Sequence, residues 1–131
     1  WVVIPDVVCD KNKTLELADK WIPKLPFKKL MVAQNGMETS DFDFFKDKID
    51  GVFIGGDTDW KFSTLKSWSK WAIDNKKICH VGRINSVRMI KLCIDANATS
   101  FDGSGPARFL PTARRMTHHL LMIKNQVKLF P

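Results

Sequence analysis

Gly51-Val52-Phe53-Ile54-Gly55-Gly56-Asp57, then Leu65, Trp68 and Ala72, then Ile78-Cys79-His80-Val81-Gly82, is the stretch on which the fold turns. The two short runs are almost continuously apolar and rich in β-branched side chains. They lack the alternation of a strand with one wet face, so they suit parallel strands covered on both sides. Each ends in glycine, where the chain can turn sharply. Between them, the residues after Ser63 place Leu65, Trp68 and Ala72 on one helical face. Strand, helix and strand in that order make a parallel βαβ unit with a right-handed crossover.

The same unit repeats outward in both directions. Val2-Val3-Ile4, Lys29-Leu30-Met31-Val32-Ala33 and Ala98-Thr99-Ser100-Phe101 read as further strands. They end at Pro5-Asp6, Gln34-Asn35-Gly36 and Asp102-Gly103. Leu17, Ala18, Trp21, Ile22 and Leu25 make a helical stripe. Phe42, Phe45 and Ile49 make a second, after an N-cap at Ser40 or Asp41. Met89, Ile90, Cys93 and Ile94 follow Ser86; Met116, Leu120 and Ile123 form the last stripe, opened by Pro111 or Thr112. These stripes, tryptophans and methionines included, are predicted core. The fold class is therefore α/β with five consecutive parallel βα units. One architecture is a partial (β/α)8 TIM barrel, strands four to eight, since a whole barrel needs about 250 residues. The alternative is an open, doubly wound, flavodoxin-like sheet. In both, the loops after the strands form the functional face. The chain begins at Trp1 rather than Met, which reads as part of a larger protein.

Composition narrows the class. The 131 residues are 44% hydrophobic and 27% charged, neither disordered nor membrane-embedded in character. No apolar run approaches the length of a spanning helix, and no signal peptide opens the chain. Three cysteines, Cys9, Cys79 and Cys93, lack the paired spacing of a zinc or redox site. A reducing, cytoplasmic setting is expected, with no metal and no cofactor. The net charge is +7 and the pI is near 9.5. Much of that charge lies in Gly103–Pro131, which has no Asp or Glu but holds Arg108, Arg114, Arg115, Lys124 and Lys128. Such a segment attracts phosphate, so nucleic acid is a candidate partner; a solvated helix face is the other reading.

At the strand ends, Asp6 and Asp102 close the first and fifth strands. Two carboxylates on one face can divide glycosidic chemistry, one attacking or stabilising the sugar carbon and the other moving protons. Either could instead cap a helix. Gln34 offers a donor and an acceptor to an amide-bearing ligand. Gly55-Gly56 would let a ligand approach the backbone, or simply make a tight turn. Gly103-Ser104-Gly105 lacks the Lys-Ser/Thr of a P-loop. His80, inside an apolar run, reads as a satisfied core histidine, and no Ser-His-Asp spacing of a known family stands out.

In order along the chain, these strand ends resemble the catalytic half of the tRNA-guanine transglycosylase (queuine tRNA-ribosyltransferase) family. Val3-Ile4-Pro5-Asp6 resembles the strand that ends in an acid–base aspartate. Val32-Ala33-Gln34-Asn35-Gly36 resembles the family's Val-Gln-Gly-Gly, and Gly51–Gly56 its Gly-hydrophobic-Ile/Val-Gly-Gly strand. His80-Val81-Gly82 resembles Met-Gly-Val-Gly, and Ala98–Asp102 the last strand, whose final aspartate is the nucleophile. Arg108 follows at the spacing of the Arg in Pro-Thr-Arg. The resemblance implies catalytic Asp102 and Asp6, with substrate contacts from Gln34, Gly55, Gly56 and Arg108. Guanine in tRNA or DNA would be exchanged for a 7-deazaguanine base through a covalent aspartyl-glycosyl intermediate. Arg114, Arg115 and Lys124 would hold the nucleic acid. The sequence departs from the family at its zinc motif, Cys-x-Cys-x-x-Cys, which is absent, and at Gly103 and Ala107, where the family has Cys and Thr. A flavodoxin-like or response-regulator-like binding module and a non-catalytic nucleic acid-binding fragment are the competing readings. Short apolar strands with unguarded edges further predict self-association as a homodimer.

Overall fold

The structure, a computed structural model, describes residues 1–129, and side chains through Lys124. Of the basic segment, the Lys128 side chain and Pro131 lie outside the described residues. The protein is α/β: five parallel strands form one open, curled sheet with helices between them. The strands are β1 (Val2–Val3), β2 (Lys29–Ala33), β3 (Gly51–Ile54), β4 (Ile78–Val81) and β5 (Ser100–Phe101). Their spatial order is the order of the sequence, β1-β2-β3-β4-β5. The helices are α1 (Lys11–Trp21), α2 (Thr58–Asp74), α3 (Val87–Asp95), a single turn α4 (Gly105–Arg108), and α5 (Leu110–Leu129).

Caps place the helices. Asp10 caps α1 by accepting from Lys13 N–H at 3.0 Å, Asp57 caps α2 through Trp60 N–H at 2.9 Å, and Ser86 caps α3 through Met89 N–H at 3.2 Å. Helix α2 therefore starts before Ser63, and its first turn carries Lys61. Capping falls to Asp10 and Asp57, which leaves Asp6 and Asp102 for other contacts. Between β2 and β3 the expected α-helix is replaced by two short 3-10 turns, Thr39–Phe42 and Lys46–Lys48. Asp41 accepts the Glu38 N–H there at 2.8 Å, closing a capping box, and Phe42 and Phe45 bury as an i, i+3 pair. That spacing suits three residues per turn.

Alternation along the strands sorts two faces. Ile4, Met31, Ala33, Val52, Ile54, Cys79 and Val81 join the main core with Ala18, Phe42, Leu65, Trp68, Ile90 and Cys93. Trp68 anchors it, with Phe42 at 4.8 Å and Trp71 at 6.5 Å between ring centroids. Burying one such side chain contributes roughly 2–3 kcal/mol. On the opposite face the register aligns Val32, Phe53, His80 and Ser100 in one row. That face is concave. The Trp1 ring, at the β1 end, sits 4.9 Å from the His80 ring on β4, although two strands separate their own.

Candidate functional site

The paired row Ala33, Ile54, Val81 and Phe101 ends the strands, and the next residue of each is Gln34, Gly55, Gly82 or Asp102. By alternation these four belong to the concave face, at its open end. Two glycines between two polar side chains leave room that neighbours fill. A Cβ on Gly82 would stand 2.7 Å from the Phe53 ring, and one on Gly55 would stand 2.9 Å from Val32.

Asp102 is the best-defined group here. Its Oδ2 lies 3.0 Å from His80 Nε2, and its Oδ1 accepts the Arg83 N–H at 3.0 Å. The other imidazole nitrogen, Nδ1, lies 2.8 Å from Ser100 Oγ. Partial burial works to raise the Asp102 pKa, but the His80 hydrogen bond, the Arg83 N–H and the nearby positive charges outweigh it, so the carboxyl is held below its usual range. Its side chain is 57% exposed while that of His80 is 6% exposed. The chain Ser100–His80–Asp102 thus has its reactive end at the carboxylate. In an acyl-transfer triad the hydroxyl would have to be the open end; here Ser100 lies deeper on the same strand.

A continuous run of hydrogen bonds joins Asp102 to Asp6 across the strand ends. The Arg83 guanidinium donates to Gly56 O, and Gly56 N–H donates to Gln34 Oε1 at 3.0 Å. Gln34 Nε2 donates to Asp6 Oδ2 at 2.5 Å, and Oε1 also accepts from Cys9 N–H at 3.0 Å. Gln34 is buried, so it ties the loops after β1, β2 and β3 together. Gly56 has φ +69°, and a Cβ there would meet Trp60 and Asn35. Gly55 and Gly56 are approached by the protein's own side chains. Asp6 is half-buried, oriented by Gln34.

Lys61, Arg83, Asn35, Asp57 and His80 complete the rim; Asn35, Asp57 and Arg83 stand in the strand-end loops of the expected functional face, but the sequence assigns none of the five a catalytic or binding role. Lys61 is 2% exposed and donates to Gly82 O. Burial, with help from the Arg83 charge, pushes its ammonium down to about 8. Arg83 adopts φ +61°, a left-handed conformation costing about 1 kcal/mol or more, which turns its N–H toward Asp102. Asp57 is lowered by the Trp60 N–H and by the Asn35 amide. No local pattern signals these roles; each depends on which loop lies beside which.

The basic residues lie apart from this rim in the sequence and on other elements. Arg108 ends α4 and is exposed. Arg114, Arg115 and Lys124 are exposed on α5. Arg115 lines a cleft of about 310 Å³ between α3 and α5, together with Arg88, Ser86 and Thr112. Among the described residues no group of three His, Cys, Asp or Glu side chains could hold a metal ion, and no helix is long and apolar enough to cross a membrane. Cys79 and Cys93 are buried free thiols and Cys9 is exposed. No family model, curated protein or solved structure matches the chain.

Proposed function

We propose that this chain is a base-exchanging transglycosylase half-barrel, strands four to eight of a (β/α)8 architecture, acting on guanine in tRNA or DNA. The observation that carries the reading is the Asp102 carboxylate, exposed at the open end of the concave face and held ionised by His80 and the Arg83 N–H. A carboxylate nucleophile must be anionic and accessible. Asp102 attacks the sugar carbon and the bond to guanine breaks, with the leaving base taking a proton. A 7-deazaguanine then displaces the carboxylate and gives up its own proton. The anion also stabilises the oxocarbenium-like charge that develops on the sugar. In this reading Asp6, which Gln34 orients, moves those protons or reads the base edge.

The strand order supports the barrel over the doubly wound sheet. A flavodoxin-like sheet reverses its winding at a switch point, giving the order 2-1-3-4-5; here the strands run in sequence order. Right-handed crossovers in sequence order put every helix on one face, and the concave face then corresponds to a barrel interior. The exposed arginines of α4 and α5 suit a polyanionic substrate. In the proposed assembly, a second copy of the chain covers the open edges of the sheet.

The test is intact-protein mass spectrometry after acid quench, with a guanine-containing RNA hairpin and separately a DNA duplex as probes. A covalent adduct mapping to Asp102, absent in Asp102→Asn and released by a 7-deazaguanine base, is expected. Absence of an adduct and of guanine exchange with both probes overturns the reading.

A further inference from the structure

His80 stands where it can do more than fill the core. It lies on β4, its ring centroid 4.9 Å from that of Phe53 and 4.9 Å from that of Trp1, so its orientation is packed from two sides. Both ring nitrogens are engaged, Nδ1 with Ser100 Oγ at 2.8 Å and Nε2 with Asp102 Oδ2 at 3.0 Å. An ionised carboxylate only accepts hydrogen bonds, so Nε2 must carry a proton. In the neutral ring Nδ1 is then an acceptor, and Ser100 Oγ–H must donate to it. Ser100 thereby selects the tautomer that Asp102 needs, as the outer partner of a histidine generally does.

From this geometry we infer that His80 is a positioning residue for Asp102, with Ser100 as the selector of its tautomer. The catalytic meaning of this arrangement rests on the transglycosylase reading; the arrangement itself does not. His80 fixes Oδ2 and the Arg83 N–H fixes Oδ1, so the carboxylate is locked in rotation with its remaining lone pairs directed to the open end. The other charged group acting on Asp102 is Lys61 from α2; Arg83, from the loop after β4, reaches it through its backbone N–H while its guanidinium is held on Gly56 O. Both are kept in every variant below, so their contribution is constant.

The experiment uses the full chain and needs no substrate. Carbon-13 NMR of the aspartate carboxyls follows the Asp102 titration in wild type, His80→Phe and His80→Gln. Phenylalanine keeps the packing against Phe53 and Trp1 but removes both nitrogens; glutamine keeps an N–H near the Nε2 position. A hydrogen bond to an ionised group is strong enough that losing it moves the midpoint up by about one to two pH units. That rise is expected in His80→Phe, with more than half of it recovered in His80→Gln. Nitrogen-15 NMR of the wild-type ring requires no variant at all and is expected to show the Nε2–H tautomer, with a shift toward the other tautomer in Ser100→Ala. An unchanged Asp102 midpoint in folded His80→Phe, or an Nδ1–H tautomer in wild type, overturns the inference. An unmoved midpoint alongside a normal Asp102 adduct would reject only the positioning role, and a moved midpoint with no adduct would reject only the transglycosylase reading.

Discussion

Lys61 should give the folded protein an unusual dependence of stability on pH. Its ammonium is buried under the strand ends and pushed down from 10.5 to about 8, first by burial and then by the Arg83 charge. Below about pH 8 it is charged in both folded and unfolded states, and the folded state bears the full cost of burying it. Between about 8 and 10.5 the folded protein has released the proton and the unfolded chain has not. The unfolded state then binds more protons, so stability rises with pH. From about pH 7 to about pH 9 the gain is on the order of 1 kcal/mol, the limiting slope being about 1.4 kcal/mol per pH unit. The buried thiols act in the opposite sense. Burial raises Cys79 to about 12 and Cys93 to about 11, so above 9.0 the unfolded chain loses thiol protons that the folded one keeps, and stability falls. The sequence has no tyrosine to add a third titration in this window. Comparison of wild type with Lys61→Met isolates the lysine. The variant leaves Gly82 O without its donor, which costs about 1–3 kcal/mol, but that cost does not change with pH. Urea unfolding of both proteins at several pH values, at one protein concentration, should show the wild-type curve rising relative to the variant. Parallel curves from about pH 7 to 9 would refute the placement of a charged, buried Lys61.

Gly103→Ala should destabilise by roughly 2–4 kcal/mol, because the added Cβ would stand 1.9 Å from Ile84 O, a backbone atom that cannot move aside alone; a thermal midpoint equal to wild type would contradict this. Binding to a short DNA duplex, followed by fluorescence anisotropy, should weaken about a hundredfold over a fourfold rise in salt if Arg108, Arg114, Arg115 and Lys124 each neutralise one phosphate. Arg114→Ala should lower the slope of log affinity against log salt by about one, and a flat salt response would mark the segment as a solvated face. Light scattering at micromolar concentration should report a dimer, since among the described residues nothing pairs with the outer edges of β1 and β5 and α5 exposes Leu120, Leu121 and Met122; a strictly monomeric 15.0 kDa species would refute it.

The strands and most helices were legible in the residues because burial writes itself into local order. Continuous runs such as Leu30–Ala33 and Val52–Ile54 are covered on both faces, and Ser86 caps α3 as the stripe after it requires. The segment after β2 was misleading: Phe42 and Phe45 satisfy a helical spacing and a 3-10 spacing equally, and the Glu38–Asp41 capping box favours the tighter turn. Asp6, Gln34 and Asp102 could be picked from their places at strand ends, but their partners could not. Whether Asp102 meets a cation, a histidine or water depends on the β4–β5 register, which sets His80 opposite Ser100, twenty positions further along the chain. Lys61 precedes Ser63, where the apolar stripe starts, and carries no signal of its own; only the packing of α2 under the loop after β4 buries it against Gly82 O. Periodicity is a property of neighbours along the chain and survives in the sequence. Hydrogen bonds between loops that meet only after the sheet curls are set by tertiary geometry, and no local pattern of residues carries that information.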